Sequence, residues 1–544
     1  MLKPIEQVVR EAGLLDDEIE VWGRGKAKVS LRALERLKDR PDGRLILVTG
    51  MSPTPAGEGK TVTAIGLAEA MTRLGVKAML ALRQPSLGPT LGAKGGGAGG
   101  GLARLEPFED ANLHFTGDFH AVAAAHNLLA ACSDNAVFHG NRLGLERSTW
   151  PRSIDLCDRQ LRHVQVGLGG KTSGWPRETG FVIAAASEIM AILALAESLE
   201  DLQERLRNIE VGWRADGSAV LAGDVGCVGA MLALLRDAIR PNLAQTAEGS
   251  PAFVHAGPFA NIAHGCNSVL ATRLALKLGD YAIVEAGFGA DLGAEKFLNI
   301  KCRKAKLRPD GAALVVSCRA LRYHGVEDES WTAPNLDALK RGLANPRVHL
   351  ENLKKFGLPA LVILNHFAGD PDDEIAAVRD FAQEQGVPFA VSDVATRGGA
   401  GGEEAARAVM ALTAERPAGK MRHIYLLKWP LEKKIETLAR EVYRADGVDY
   451  DDAARTTLEA IAKVESLAKL PICVAKTPLS LSDNPKRRGA PTGWRLKVRE
   501  LFVNRGAGFI VVLTGPVVLM PGMPEHGAAE RIDLDDSGNV VGLR

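Results

Sequence analysis

The chain has 544 residues, of which 46% are hydrophobic and 24% charged, with a formal net charge of +1. That length leaves room for several domains and a large core. The balanced charge argues against bulk attraction to nucleic acid or to a membrane surface, and at 5% aromatic content few stacking platforms are available.

The first twenty residues, MLKPIEQVVREAGLLDDEIE, carry neither an apolar signal core nor Arg/Ser-rich transit character, so a cytoplasmic location is expected. Residues 44–75, RLILVTGMSPTPAGEGKTVTAIGLAEAMTRLG, read as three pieces. Arg44 to Gly50 is a short aliphatic run, the signature of a buried strand. Ser52 to Gly59 is a loop rich in Pro and Gly. Lys60 to Arg73 has helical spacing, with Val62, Ile65, Ala68 and Met71 on one face. Strand, glycine loop, Lys-Thr and helix form a phosphate cradle: backbone N–H groups and the helix start face phosphate oxygens, Lys60 reaches the outer phosphates, and Thr61 can hold Mg2+. Thr54, Pro55, Ala56, Gly57, Glu58, Gly59, Lys60 and Thr61 are therefore nucleotide-binding candidates. Thr54 stands where the usual first glycine belongs, and the bland alternative is an ordinary strand–turn–helix connection.

Residues 82–118 are dense in glycine, which a helix or strand interior tolerates poorly. A flexible tether is one reading. The other is an anion or substrate pocket, favoured by Arg83 at the segment's start, Lys94 among the glycines and a closing polar set that includes Glu106, Asn112, His114 and Asp118. Further along, His255 and His264 are separated by a loop that does not match zinc spacing, so they read as loop-lining residues. Tyr281 to Glu285 reads as a strand whose terminal carboxylate senses the outer phosphate and its metal. Asn365, after the strand Ala360 to Leu364, stands where nucleotide-switch proteins read the base, but His366 and Phe367 do not suit guanine.

Other short apolar runs, Val76 to Leu82, Ala312 to Cys318 and Pro388 to Ser392, read as strands. Leu193 to Arg207, Leu336 to Ala344 and Asp373 to Glu384 read as helices. This alternation predicts an α/β fold, a P-loop-like, mostly parallel sheet flanked by helices, with ligands at the carboxyl ends of the strands. A weak break falls near Arg416 to Lys420. The longest apolar run, near Phe509 to Met520, contains Thr, Gly and Pro and is too short to span a bilayer. The seven cysteines are scattered without a CxxC, which suits reduced, buried thiols.

Taken together, TPAGEGKT (54–61), PSLGP (85–89), NLHFTGD (112–118), VGLGGK (166–171), PRETGF (176–181), GPFANIAHGCNS (257–268), EAGFGADLGAEKF (285–297), AKTPLSLSD and GAGFIVVLTG resemble the motifs of formate–tetrahydrofolate ligase, from about Val21 onward. The resemblance implies ATP-dependent formation of formyl phosphate and its transfer to tetrahydrofolate, with Mg2+ and a response to a monovalent cation. It also implies a homotetramer acting on small molecules, with no nucleic-acid or membrane partner. The implied catalytic residues are Lys60, Arg83, which holds formyl phosphate, and Asp118, which orients the acceptor amine. Thr61 and Glu285 would hold the metal, and Asn365, Phe367 and the position of Ala395 would border the nucleotide and the pterin ring. The implied division is a phosphate-loop domain over 1–345 and two smaller units, 346–418 and 419–544. The chain departs from the family at Gln84 (for Glu), Ala395 (for a Trp opposite Phe367), Ala256 (for Gly), Cys157 (for Asn) and Pro478-Leu479 (for Gln-Tyr). Two further readings follow: a paralogue with the same chemistry and another acceptor, and a nucleotide-binding protein without ligase activity.

Overall fold

The computed structural model describes residues 2–55, 57–415, 421–515 and 518–543. Ala56 and the break near Arg416 to Lys420 lie outside the described residues.

The aliphatic runs pair as expected from strands with no polar face. Seven of them form a parallel array in the order Pro251–Val254, Ala78–Leu82, Tyr281–Gly289, Arg44–Gly50, Gly311–Val316, Ala360–Asn365 and Phe389–Ser392. Beyond Pro251–Val254 the sheet continues antiparallel through Asn242–Thr246, Ala27–Val29 and Ile19–Val21. Side chains alternate between two covered faces. Leu45, Leu47, Ala282, Val284, Leu314 and Val362 join one core; Ile46, Val48, Ile283, Val315, Leu361 and Ile363 join the other. Both faces are dry, which is why these strands read as continuous apolar runs. The fold is the α/β class with a large, mostly parallel sheet that the alternation predicts.

Boundaries differ in places for local reasons. The run expected as strand Ala312 to Cys318 stops at Val316, because Ser317 accepts from the Ala320 N–H and starts a helix over Cys318–Gly325. The helix expected over Leu193 to Arg207 is two, Glu188–Leu195 and Leu199–Arg207; the Ser198 side chain caps the second by accepting from the Asp201 N–H. Tyr281–Gly289 runs past Glu285, although its regular ladder with Arg44–Gly50 breaks between Glu285 and Gly289. Five cysteines are buried, and Cys132 and Cys227 are only half-buried.

A helical unit, led by Asp118–Phe138, builds a third core, and residues beyond Tyr425 build a fourth. In the latter, strands Ile472–Ala475, Phe509–Leu513 and Glu500–Asn504 make a small sheet. Ile472, Val474, Ile510 and Val512 face the C-terminal core, whereas Cys473, Ala475, Phe509 and Val511 face the helical unit. Among the described residues no helix is long and apolar enough to cross a membrane.

Glu188 fastens this joint: its Oε1 accepts from the Gly506 N–H at 2.8 Å and the Ala507 N–H at 3.1 Å. Burial pushes its carboxyl up to about 8. The folded state therefore holds a proton that the unfolded chain releases near pH 4.5, so this group's contribution is full below pH 4.5 and lost as pH rises to about 8. Glu188→Gln keeps the acceptor and removes the titration. Thermal melts should show the variant gaining on the wild type steadily from pH 5 to about pH 8 and levelling off above.

Candidate active site

The phosphate-loop strand ends at Gly50, central in the parallel array, where the strand ends open a crevice. The loop beyond it is held from inside by Glu58, which is 1% exposed. Its Oε1 accepts from the Thr54 N–H at 2.7 Å and its Oε2 from the Ser317 hydroxyl at 2.6 Å. The Asn365 amide donates to the Glu58 carbonyl at 3.3 Å. Gly59 takes φ +73°, and a Cβ there would lie 2.3 Å from the Asn365 amide nitrogen. Glycine is thus required twice over, by conformation and by close approach.

Lys60 and Thr61 open the helix Lys60–Arg73. The Lys60 stem lies back along the strand end, where a Cβ on Gly50 would meet its Cδ at 3.1 Å. The Thr61 hydroxyl donates to Glu285 Oε2 at 2.7 Å, and Arg83 Nε stands 3.7 Å from Glu285 Oε1. Gly287 keeps room for that guanidinium: a Cβ would lie 3.0 Å from both of its terminal nitrogens. Burial lowers the Lys60 ammonium pKa, Glu58 and Glu285 counter it, and Arg83 adds to the lowering. Lys94 joins the cluster from the glycine-rich segment. Lys94 is solvent-exposed, yet the protein crowded around it comes first and the Arg83 and Lys60 charges second in bringing its ammonium down to about 8. Arg83 stands beside the Glu285 carboxylate and the Lys60 and Lys94 charges act on the same cleft, an excess of positive charge that an anion would neutralise.

Thr61 and Glu285 supply two hard oxygens at one point beside a helix start, a donor set that fits Mg2+. A different group, Cys318, Asp370 and Glu374, also has metal-like spacing. It already faces the Arg322 guanidinium at 3.8 and 3.9 Å, which supplies the countercharge.

The remaining expected residues fall around this cluster. Phe367 is 41% exposed, with the Arg319 guanidinium 5.4 Å from its ring centre. Ala395 lies on the next strand's exit turn, and the two segments are tied by His366 Nδ1 and Asp393 Oδ1 at 2.5 Å. The Ala395 carbonyl accepts from the Leu102 N–H at 2.9 Å, so this turn also braces the glycine-rich hairpin. The 82–118 segment is therefore built structure rather than a tether. Asp118 is set one step away from the cations. It is 1% exposed, pairs with Lys28 Nζ at 2.6 Å and accepts from the Asn242 amide at 2.7 Å. Asn242 also donates to the carbonyl of Val254, and Val254 is the strand partner of Leu82, just before Arg83.

Gln84 is 3% exposed, and its N–H donates to the Ala256 carbonyl at 2.9 Å. Ala256 has φ +56°, a conformation natural to the family's glycine that costs an alanine about 1 kcal/mol. His255 and His264 are fully buried rather than lining a loop. His255 bonds Ser268 and the Ala238 carbonyl, and burial holds it neutral, near pKa 4. Sequence reasoning missed Ser317, Lys28, Arg319 and Asp155, whose Oδ1 accepts from Ser86 at 2.7 Å and so fixes the turn after Arg83. Only Ser317 carries a local signal, as a polar residue ending an apolar run.

The sequence has counterparts among known proteins. The family model described as formate–tetrahydrofolate ligase matches residues 1–544. The chain belongs to the formate–tetrahydrofolate ligase family. It is 52% identical over 546 aligned positions to the formate–tetrahydrofolate ligase of Symbiobacterium thermophilum, covering 100% of this chain and 98% of the relative. It is 51% identical to that of Thermotoga petrophila, with 100% of both chains covered. The chain is accordingly an enzyme, a ligase of one-carbon metabolism.

The cation cluster sets a pH dependence. Lys94, lowered to about 8, gives up its proton above that pH and takes one positive charge out of the cleft. Inorganic pyrophosphate should bind more weakly at pH 9 than at pH 7 by calorimetry. Lys94→Arg, whose charge persists, should flatten that difference.

Proposed function

We propose that the enzyme joins formate to tetrahydrofolate with ATP through formyl phosphate, giving 10-formyltetrahydrofolate, ADP and phosphate. The observation that carries this reading is the glycine loop whose Lys60–Thr61 helix start meets Glu285 through the Thr61 hydroxyl at 2.7 Å, with Arg83 3.7 Å from the same carboxylate. Phosphoryl transfer asks a protein chiefly for positioning and charge neutralisation. A formate oxygen attacks the γ-phosphorus of ATP and ADP leaves. The folate amine then attacks the formyl carbon, the carbon–oxygen bond to phosphate breaks, and the amine proton is lost.

In this scheme residues 54–61 cradle the nucleotide phosphates, and Lys60 offsets charge on the transferring group. The Arg83 fork suits the formyl phosphate oxygens, and its Nε makes no hydrogen bond with the described residues. Thr61 and Glu285 would hold Mg2+, which when bound screens the phosphate charges. Asp118 enters at one remove: through Asn242 it supports the strand end beside Arg83. Phe367 offers a flat exposed face for the pterin, and Asn365 shapes the loop around Gly59. A cytoplasmic homotetramer, activation by a monovalent cation and a division at about 345 and 418 belong to the same proposal. Residues 346–418 then form a unit whose strands, Ala360–Asn365 and Phe389–Ser392, extend the main sheet.

A second reading rests on Ala395. Without an aromatic ring there, a stacked pterin keeps one protein face and loses another, a cost of about 1–3 kcal/mol by analogy with base stacking. That favours a weakened folate grip or a different acceptor with the same first step.

ADP release should require formate and tetrahydrofolate together. ADP formation with formate but no response to tetrahydrofolate would favour the second reading. Lys60→Ala should lower kcat by about 100-fold or more. Ala395→Trp should lower the KM for tetrahydrofolate by about tenfold with kcat little changed; an unchanged KM would remove the clamp argument.

A further inference from the structure

Ser52, at the root of the phosphate loop, is completely buried and every polar group it owns is bonded. Its N–H donates to Asn345 Oδ1 at 3.1 Å, and its hydroxyl oxygen accepts from Asn345 Nδ2 at 3.1 Å. The hydroxyl and His349 Nε2 share a hydrogen bond, also at 3.1 Å. Its carbonyl meets His324 Nε2 at 2.8 Å. The far side of this knot belongs to the C-terminal lobe. The Gly489 N–H points at His324 Nδ1 at 3.1 Å, and the Gly489 carbonyl accepts from Asn345 Nδ2 at 2.8 Å.

These contacts fix the proton on His324. A backbone N–H can only donate, so Nδ1 is the bare nitrogen and Nε2 carries the hydrogen given to Ser52. Burial, which holds this ring near pKa 4, keeps it neutral. The ring is a strut with one accepting end toward Gly489 and one donating end toward Ser52. A second group of buried side chains lies alongside. His349 Nδ1 faces Asp291 Oδ1 at 4.0 Å, and Asp291 Oδ2 pairs with Lys476 Nζ at 2.8 Å, all fully buried. Lys476 and Gly489 bracket one segment, and Arg488 pins it further by stacking 4.0 Å from the Tyr323 ring centre.

We propose that His324 is a positioning residue for the phosphate loop: with Asn345 it locks segment 476–489 of the C-terminal lobe against Ser52, so the loop's grip on nucleotide depends on that segment being docked. This rests on the nucleotide reading above. The lock is built from buried groups, and it spans elements that the sequence separates widely. A purely local loop would not need the Gly489 end.

The two ends can be cut separately. The Asn amide of His324→Asn can stand where Nδ1 does and accept from Gly489, but it cannot reach Ser52. The amide of His324→Gln can stand where Nε2 does and donate to Ser52, but it lacks the acceptor for Gly489. His324→Leu removes both ends. In the full-length enzyme, each single-ended variant should weaken MgATP binding by about five- to tenfold in calorimetry. The KM for ATP should rise to match, while the KM for formate and kcat stay within about twofold. Hydrogen–deuterium exchange over residues 51–59, measured without ligand, should be faster in both variants. MgATP affinity equal to wild type in correctly folded variants would overturn the proposal. So would unchanged exchange in that loop, and this readout stands whether or not the wild type binds ATP. Wild-type protein that binds no MgATP while the variants still exchange faster would instead overturn the nucleotide reading and keep the lock. Should His324→Leu fail to fold, the two single-ended variants decide the matter.

Discussion

A phosphate site must hold like charges together before the phosphate arrives. Here Arg83 stands beside one carboxylate, Glu285, the Lys60 and Lys94 charges act on the same cleft, and the surrounding structure resists their repulsion. That resistance comes from the sheet. Glu285 and Arg83 sit on or just after neighbouring parallel strands, and Lys60 starts the helix that follows the strand paired with Glu285's. Rigid strands fix where each charge stands, so little reorganisation is left for the reaction itself.

Two buried carboxylates do different work around that cluster. Glu285 tempers the charge. Glu58 shapes the backbone, because both of its oxygens are used by the Thr54 N–H and the Ser317 hydroxyl. The loop thus carries its own internal acceptor at the position where a flexible turn would need solvent.

The sheet was legible because each of its central strands is a short aliphatic run between charged or glycine-rich ends. Arg44–Gly50 and Lys60–Arg73 fall at the expected bounds. Errors arose where one polar side chain redirects the backbone, as Ser198 does between two helices and Ser317 does at Cys318. The site was legible where its parts are contiguous, as in residues 54–61. Lys28, Asp155 and Ser317 were not, since each reaches its partner across the fold and periodicity carries no distance information. Asp118 illustrates the limit: its motif marks it as special, and only the packing shows that its carboxylate is spent on Lys28 and Asn242.

The small C-terminal sheet has one more consequence. Its strands give alternate residues to two different cores, Ile510 and Val512 to one and Phe509 and Val511 to the other. Neither core is complete while the other is open to water. The C-terminal lobe and the helical unit are therefore expected to melt as one cooperative body, and a chain cut between them would leave an apolar sheet face as an aggregation surface.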